Sequence, residues 1–262
     1  MSEASENVVA KLVDRVFPRM PDFYGLINGQ CDLLVTVMEE LVKYMSTGDE
    51  RTPERIAGVF EKQGDEQKRR NLRVLNKAIA TTMDREEIYR AIEGINHVLN
   101  YAKRTVREMK AFEVRLDSYT LEMAIYLKEG AEAFRAGFRK ITATPAASEA
   151  DALSARKAER HIEKSYRRAL TELFAAKSYH AKLQRQGGGS GTDTQHYMTK
   201  ILKRREVYRH LSKGSDRLAH TVKPSTTSSS KSFEITDSST IRLNRSALFS
   251  SLFTLSNTTL LC

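Results

Sequence analysis

One ordered pattern of helix residues occurs twice in this chain. Asp84-Arg85-Glu86-Glu87-Ile88-Tyr89-Arg90 returns as Lys203-Arg204-Arg205-Glu206-Val207-Tyr208-Arg209. Upstream of each copy lies a second match: Glu61, Asp65, Arg69 and Leu72 return at the same spacing as Glu159, Glu163, Arg167 and Leu170. Self-similarity of this kind restricts a chain to repeated supersecondary units. The offset is 98 residues for the acidic stretches and 119 for the Tyr-Arg stretches. The extra length falls between the two helices of the second copy. There Gln186-Gly187-Gly188-Gly189-Ser190-Gly191 has the composition of a flexible linker.

Apolar periodicity says what the repeated unit is. Leu26, Leu33, Leu34, Val37, Met38, Leu41 and Met45 recur at helical spacing, predicting a first helix over 22–46 that Thr47-Gly48-Asp49 stops. Thr52-Pro53-Glu54 is a helix start, and that second helix is expected to run to about 82. Asp84 and Glu87 open a third helix with the stripe Ile88, Ile92, Ile95, Leu99, Ala102 and Val106. Asp117 or Ser118 caps a fourth, carrying Leu121, Ala124, Ile125, Leu127, Phe134 and Phe138 to a break at Thr144-Pro145. Ser148 and Asp151 are expected to open a fifth helix reaching about 183. Residues 194–222 form the sixth, with Ile201, Tyr208, Leu211, Ser215 and Leu218 on one face. No strand pattern appears before 223. The expectation is an all-α fold of two tandem antiparallel three-helix units, repeat one at about 22–112 and repeat two at about 117–222.

The ends read differently. Residues 1–17 form an N-terminal extension in which 7–17 suits a short helix before Pro18. Residues 223–262 hold 18 serines and threonines in 40 positions and no coherent apolar pattern, so a disordered tail is expected. The first six residues are polar and acidic, unlike a secretory signal. No apolar run approaches the roughly 20 residues that span a bilayer. Cys31 and Cys262 form no metal or disulfide pattern, and Cys262 is not a prenylation box. A cytoplasmic location is expected.

A net charge of +10 favours nucleic acid, anionic lipid or an acidic partner. Along most helices Lys and Arg alternate with Glu and Asp, as on an ordinary solvated face. The densest basic cluster, and the candidate partner-facing patch, is Lys200, Lys203, Arg204, Arg205 and Arg209.

The acidic pairs are the candidate chemistry. Glu61 and Asp65 lie four apart on a face that continues as Leu72, Leu75 and Ile79. Glu159 and Glu163 lie on one that continues as Tyr166, Leu170 and Leu173. Carboxylates on a core-facing stripe need a cation, either a metal or a neighbouring arginine such as Arg69 or Arg167. Oxygen-rich faces meeting in a bundle suit iron, zinc or magnesium. Carboxylates at i, i+4 are frequent on exposed faces, and from spacing alone that reading outweighs a metal site.

These residues, with Pro21-Asp22-Phe23-Tyr24, Asp84 to Arg90, Tyr166-Arg167-Arg168-Ala169-Leu170 and Leu173-Phe174, resemble the PhoU-like phosphate transport regulators, in particular the group associated with Pit-type phosphate transporters. The resemblance covers roughly residues 18–222. It implies a duplicated three-helix fold and non-enzymatic regulation by binding an inorganic phosphate transporter at the inner membrane face. It also implies acidic metal clusters in some members. Carried onto this chain, the metal candidates are Glu61, Asp65, Glu93, His97, Glu159, Glu163 and Asp216. The chain departs from the family pattern where that chemistry lies. Helix three reads Glu93-Gly94-Ile95-Asn96-His97 with Asn100 following, and helix six reads Ser212-Lys213-Gly214-Ser215-Asp216, where paired acids are usual.

Two other classes compete. A nucleic-acid-binding bundle or scaffold would use the Lys200–Arg209 cluster, but helix-turn-helix spacing and an aromatic stacking platform are missing from the sequence. A ferritin-type oxidase needs Glu-x-x-His on two helices, and the chain offers Glu93-x-x-x-His97. No enzyme is expected. The partner expected is the phosphate permease, with a homodimer as a further expectation and no nucleic acid.

Overall fold

The computed structural model describes residues 20–141, 143–175 and 191–222, and within them there are six helices and no strand. The expected short helix over 7–17, the Gly/Ser linker up to Ser190 and the 223–262 tail lie outside the described residues.

Four of the six helices begin where a side chain takes up free N–H groups. Asp22 accepts from Gly25 N at 2.9 Å and opens α1 (Phe23–Thr47), which ends on Gly48 at φ 71°. That left-handed conformation suits glycine at a helix end. Helix α2 is continuous through three segments: Arg51–Glu54, a wide π turn at Arg55–Phe60, and Glu61–Lys77. Its entry is held by Asp49, which accepts from Arg51 N and Thr52 Oγ1, so the helix begins before the Thr52-Pro53 signal. Asp84 caps α3 (Arg85–Ala111) by accepting from Glu86 N and Glu87 N. Asp117 and Thr120 form a reciprocal capping box on α4 (Ser118–Lys140). Thr144 precedes α5 (Pro145–Leu173), and α6 spans Gly191–Val222.

Three expectations about helix limits need correction. Helix α2 stops at Lys77 instead of about 82, because Ala78 turns extended and the Arg85 guanidinium takes the carbonyls of Leu75 and Ala78 at 2.7 and 2.8 Å. Ile79, expected on the core stripe, is therefore 84% exposed. Helix α5 opens at Pro145, ahead of Ser148. Ser148 is buried and donates to the Gly137 carbonyl at 2.9 Å, while Asp151 pairs with Lys140, so both tie α5 to α4 instead of capping it. The same helix ends at Leu173, well before 183, where Phe174 N closes a final turn on the Leu170 carbonyl.

Packing follows the apolar stripes. The stripe of α3 is buried throughout, from Ile88 to Val106, as are Ile201, Tyr208, Leu211, Ser215 and Leu218 of α6. Helix α1 packs on α2, α3 and α4; α6 packs on α3, α4 and α5. Helices α2 and α3 run antiparallel, joined by Glu54–Lys110 at 2.8 Å, Glu61–Lys103, and Lys68–Glu93 at 2.8 Å. The α2 members stand seven residues apart, two helical turns, so the three pairs form a ladder along one seam.

Helices α4 and α5 approach through small residues. Gly130 faces Ala158, and Gly137 faces Ser148 and Asp151. The buried line of α5 is Ala152, Ala155, Ala158, Ile162, Ser165 and Ala169. This corrects the expected core stripe Glu159, Glu163, Tyr166, Leu170 and Leu173, which is only partly buried. The core face is set one position aside because α4 comes too close for large side chains.

Among the described glycines that face another helix, the tightest approach is at Gly94 of α3. A Cβ there would lie 1.9 Å from Thr221 Oγ1 and 2.8 Å from Thr221 Cβ of α6. Gly94→Ala is therefore expected to destabilise the fold by about 1–3 kcal/mol. Thr221→Gly in the same chain should restore most of it, a coupling that urea denaturation in a double-mutant cycle measures.

Candidate functional site

Helices α3 and α6 bring together one constellation that the sequence reading did not single out. Glu206 and His210 stand four apart on one face of α6, and Glu108 meets them from the last turns of α3. His210 Nε2 lies 2.9 Å from Glu108 Oε1 and 3.7 Å from Glu206 Oε1. One ligand atom from each of the three falls within 4.8 Å of the others. The imidazole is only 5% exposed, while the two carboxylates are about one-third exposed, at 29% and 30%. Neither ring nitrogen of His210 makes a well-aligned hydrogen bond, and Glu108 Oε2 is likewise buried without one. Tyr101 packs its ring against the imidazole at 6.1 Å. Arg209 grips Glu206 from its own helix, with Nε 2.9 Å from Oε2, and this hydrogen bond holds the Glu206 carboxyl below the usual carboxylate range.

The seven residues expected to hold metal do not meet in such a group. Glu61 is paired with Lys103 and Arg107 of α3. Around Glu61 and Asp65, with Asn96, Asn100 and Lys103, the remaining cavity is about 10 Å³, the lower limit for a single water. The Lys103 ammonium stands where a cation would be needed, so these residues do not fit a metal ion. Glu93 is paired with Lys68 at 2.8 Å, and His97 lies 4.0 Å from the same carboxylate. Burial and the nearby Arg217 push the His97 imidazole below its ordinary range. Glu163 pairs with Arg167 one turn along and is 46% exposed, and Asp216 pairs with Lys213 at 2.9 Å. Glu159 is half-buried on α5.

The basic cluster divides between two places. Lys200, Lys203 and Arg204 line a cleft of about 630 Å³ between the α3–α4 loop, the end of α5 and the first half of α6, where Arg115 joins them. Lys203 stands over the Phe112 ring at 5.8 Å, and Arg204 lies 3.6 Å from Asp117. Arg209 faces away, committed to Glu206, and Arg205 is exposed. At the cleft's floor Tyr208 donates to Asp117 Oδ2 at 2.5 Å while Asp117 Oδ1 caps α4. One aspartate thus fixes both the start of α4 and the rotation of α6.

The signal for the Glu108–Glu206–His210 group was present only in part. Glu206-x-x-x-His210 is an i, i+4 pair, but it sits inside the Lys/Arg-rich run that was read as a repeat. Glu108 could be joined to it only by knowing that α3 and α6 are antiparallel neighbours. A comparison with models of known protein families found no match, and a comparison with curated proteins found none either.

The Tyr208–Asp117 bond yields a test of this corner. Burial and the Asp117 carboxylate push the Tyr208 phenol well above its ordinary value of 10.0. An unfolded Tyr208 ionises near that value while the folded one stays protonated, so the folded state binds more protons and stability falls as pH rises past about 10. Tyr208→Phe should cost about 1–3 kcal/mol at neutral pH and show a smaller alkaline loss than the parent, both read from urea midpoints across pH.

Proposed function

We propose that this protein is a non-enzymatic regulator of inorganic phosphate transport, a PhoU-like duplicated helical bundle that acts by binding a phosphate permease. The fold part of the reading rests on the phase of burial in the two matched helix pairs. Ile88, Ala91, Ile92, Ile95, Asn96 and Leu99 are buried, and so are the residues 119 positions on: Val207, His210, Leu211, Gly214, Ser215 and Leu218. Gly64 and Asn71 of α2 are buried, as are Ile162 and Ala169 of α5, 98 positions on. The phase is lost at Gly94 and Val98, whose counterparts Lys213 and Arg217 are exposed, and the shared positions support the duplication at the offsets that sequence matching selected. The reading takes 22–112 and 117–222 as the two repeats within a domain over 18–222.

The residues that carry the family resemblance bear on the fold, which supports taking them as more than chance. Asp22 caps α1 and Phe23 is wholly buried behind it. Asp84 caps α3, and Ile88 and Ala169 are core residues. Among the described residues no helix is long and apolar enough to cross a membrane. In this reading the permease supplies the membrane contact. The cleft bearing Arg115, Lys200 and Lys203 is the face we assign to an acidic cytoplasmic segment of that partner. Nucleic acid is the weaker reading, since Arg204 and Arg209 already lie against Asp117 and Glu206.

A regulator without chemistry of its own shifts a transporter only by its differential affinity for two transporter states. Deleting the gene should change phosphate uptake at high external phosphate, with a coupling of about 1–3 kcal/mol, or about 5–150-fold in apparent affinity. The permease should co-purify with the protein. Charge reversal at Lys200 and Lys203 should weaken that complex while the helical content stays unchanged. Unaltered uptake together with no recoverable complex would sink the proposal.

A further inference from the structure

We propose that Glu108, Glu206 and His210 bind a zinc ion that ties α3 to α6. Three groups converge here whose facing atoms are all electron-rich: two carboxylate oxygens and an imidazole nitrogen. A neutral imidazole with its Nε2 lone pair 2.9 Å from a carboxylate oxygen is repulsive. Either an Nε2–H directed at the carboxylate or a metal ion between the two relieves that repulsion.

Geometry separates the two. A proton serves when the acceptor lies along the N–H direction, yet Nε2 makes no aligned hydrogen bond with Glu108 despite the 2.9 Å separation. A metal needs the opposite, with oxygens set aside from the nitrogen's axis around an ion that sits on it. Zinc bonds of about 2.0–2.1 Å at tetrahedral angles put ligand atoms about 3.3 Å apart. The observed nitrogen–oxygen separations of 2.9 and 3.7 Å bracket that value.

The donor set also selects the ion. Imidazole disfavours calcium and magnesium, and one nitrogen with two carboxylates suits zinc, with water as the fourth ligand. Two carboxylates balance its charge. The buried Glu108 Oε2 and the nearly sealed imidazole keep the site from being a solvated acidic patch. Arg209 grips both oxygens of Glu206, with Nε 2.9 Å from Oε2 and Nη2 on Oε1, and so fixes the carboxylate with Oε1 3.7 Å from His210 Nε2, the orienting role that outer groups play around bound metals.

The experiment uses the full chain without an affinity tag, stripped with chelator and titrated with zinc chloride against a chromophoric competitor. The expected result is one zinc per chain, a raised thermal midpoint with zinc, and visible absorption bands on cobalt substitution. His210→Gln and Glu108→Gln should each weaken zinc by more than the roughly 10–100-fold that follows loss of an outer-shell group. Glu163→Gln should leave the affinity unchanged. Glu108→Gln alters a partly exposed carboxylate, so it stays informative if His210→Gln fails to fold, and circular dichroism checks both. Parent protein that takes up no stoichiometric zinc would overturn the proposal, as would equal zinc affinity in a folded Glu108→Gln variant.

Discussion

The rest of the bundle depends on how closely α3 and α6 can lie. Both are long, both are buried along one face, and each packs on the two other helices of its own part of the chain as well as on its partner. Their approach is permitted by two glycines facing opposite ways: Gly94 of α3 meets Thr221, and Gly214 of α6 meets Tyr101. Small residues at a crossing bring backbones together, and the flanking side chains then fill the space to interior density. Ile88, Ile92 and Ile95 on α3, with Val207 and Leu211 on α6, are 0–1% exposed. Each such side chain contributes about 1.5–3 kcal/mol by leaving water. Were the crossing wider, none of these residues would be sealed.

The two outer pairings use different physics. Helices α2 and α3 are joined by a ladder of ion pairs on a partly solvated seam, and exposed pairs of this kind contribute roughly 0–1 kcal/mol each. Their value lies in register, since a slide of one rung, two turns, would set Lys68 opposite Lys103. Helices α4 and α5 are joined instead by Gly130, Gly137 and a row of alanines. Close dispersion contacts hold that seam, with Glu122 bonded to Ser165 and Arg168 at its edge.

Large apolar residues at regular spacing were legible in the sequence, and so α1, α3 and α6 were read with their correct faces. Capping aspartates were legible too, because a carboxylate before an apolar stripe has one obvious use. The face of α5 was not. Its core line is mostly alanine, whose hydropathy is weak, while Tyr166, Leu170 and Leu173 draw the eye one position aside. The end of α2 was missed because it is set by Arg85, eight residues beyond its last residue. The candidate metal group was illegible for a related reason. It joins residues about 100 apart in the chain, and only the antiparallel pairing of α3 and α6 makes them neighbours.

The π turn at Arg55–Phe60 fixes how the entry of α2 relates to its body. A π turn holds one residue more than an α turn. Removing a single residue from 55–60 would let the helix wind regularly, because five α residues turn through roughly the same angle as the six π residues they replace. Thr52 and Pro53 would stay buried against the bundle while Glu61 stayed on Lys103. In the language of insertion and deletion, this stretch carries a spare residue absorbed in place. A deletion elsewhere in α2 would turn one flank by about 100°, but here the helix can lose one residue and keep the phase of both.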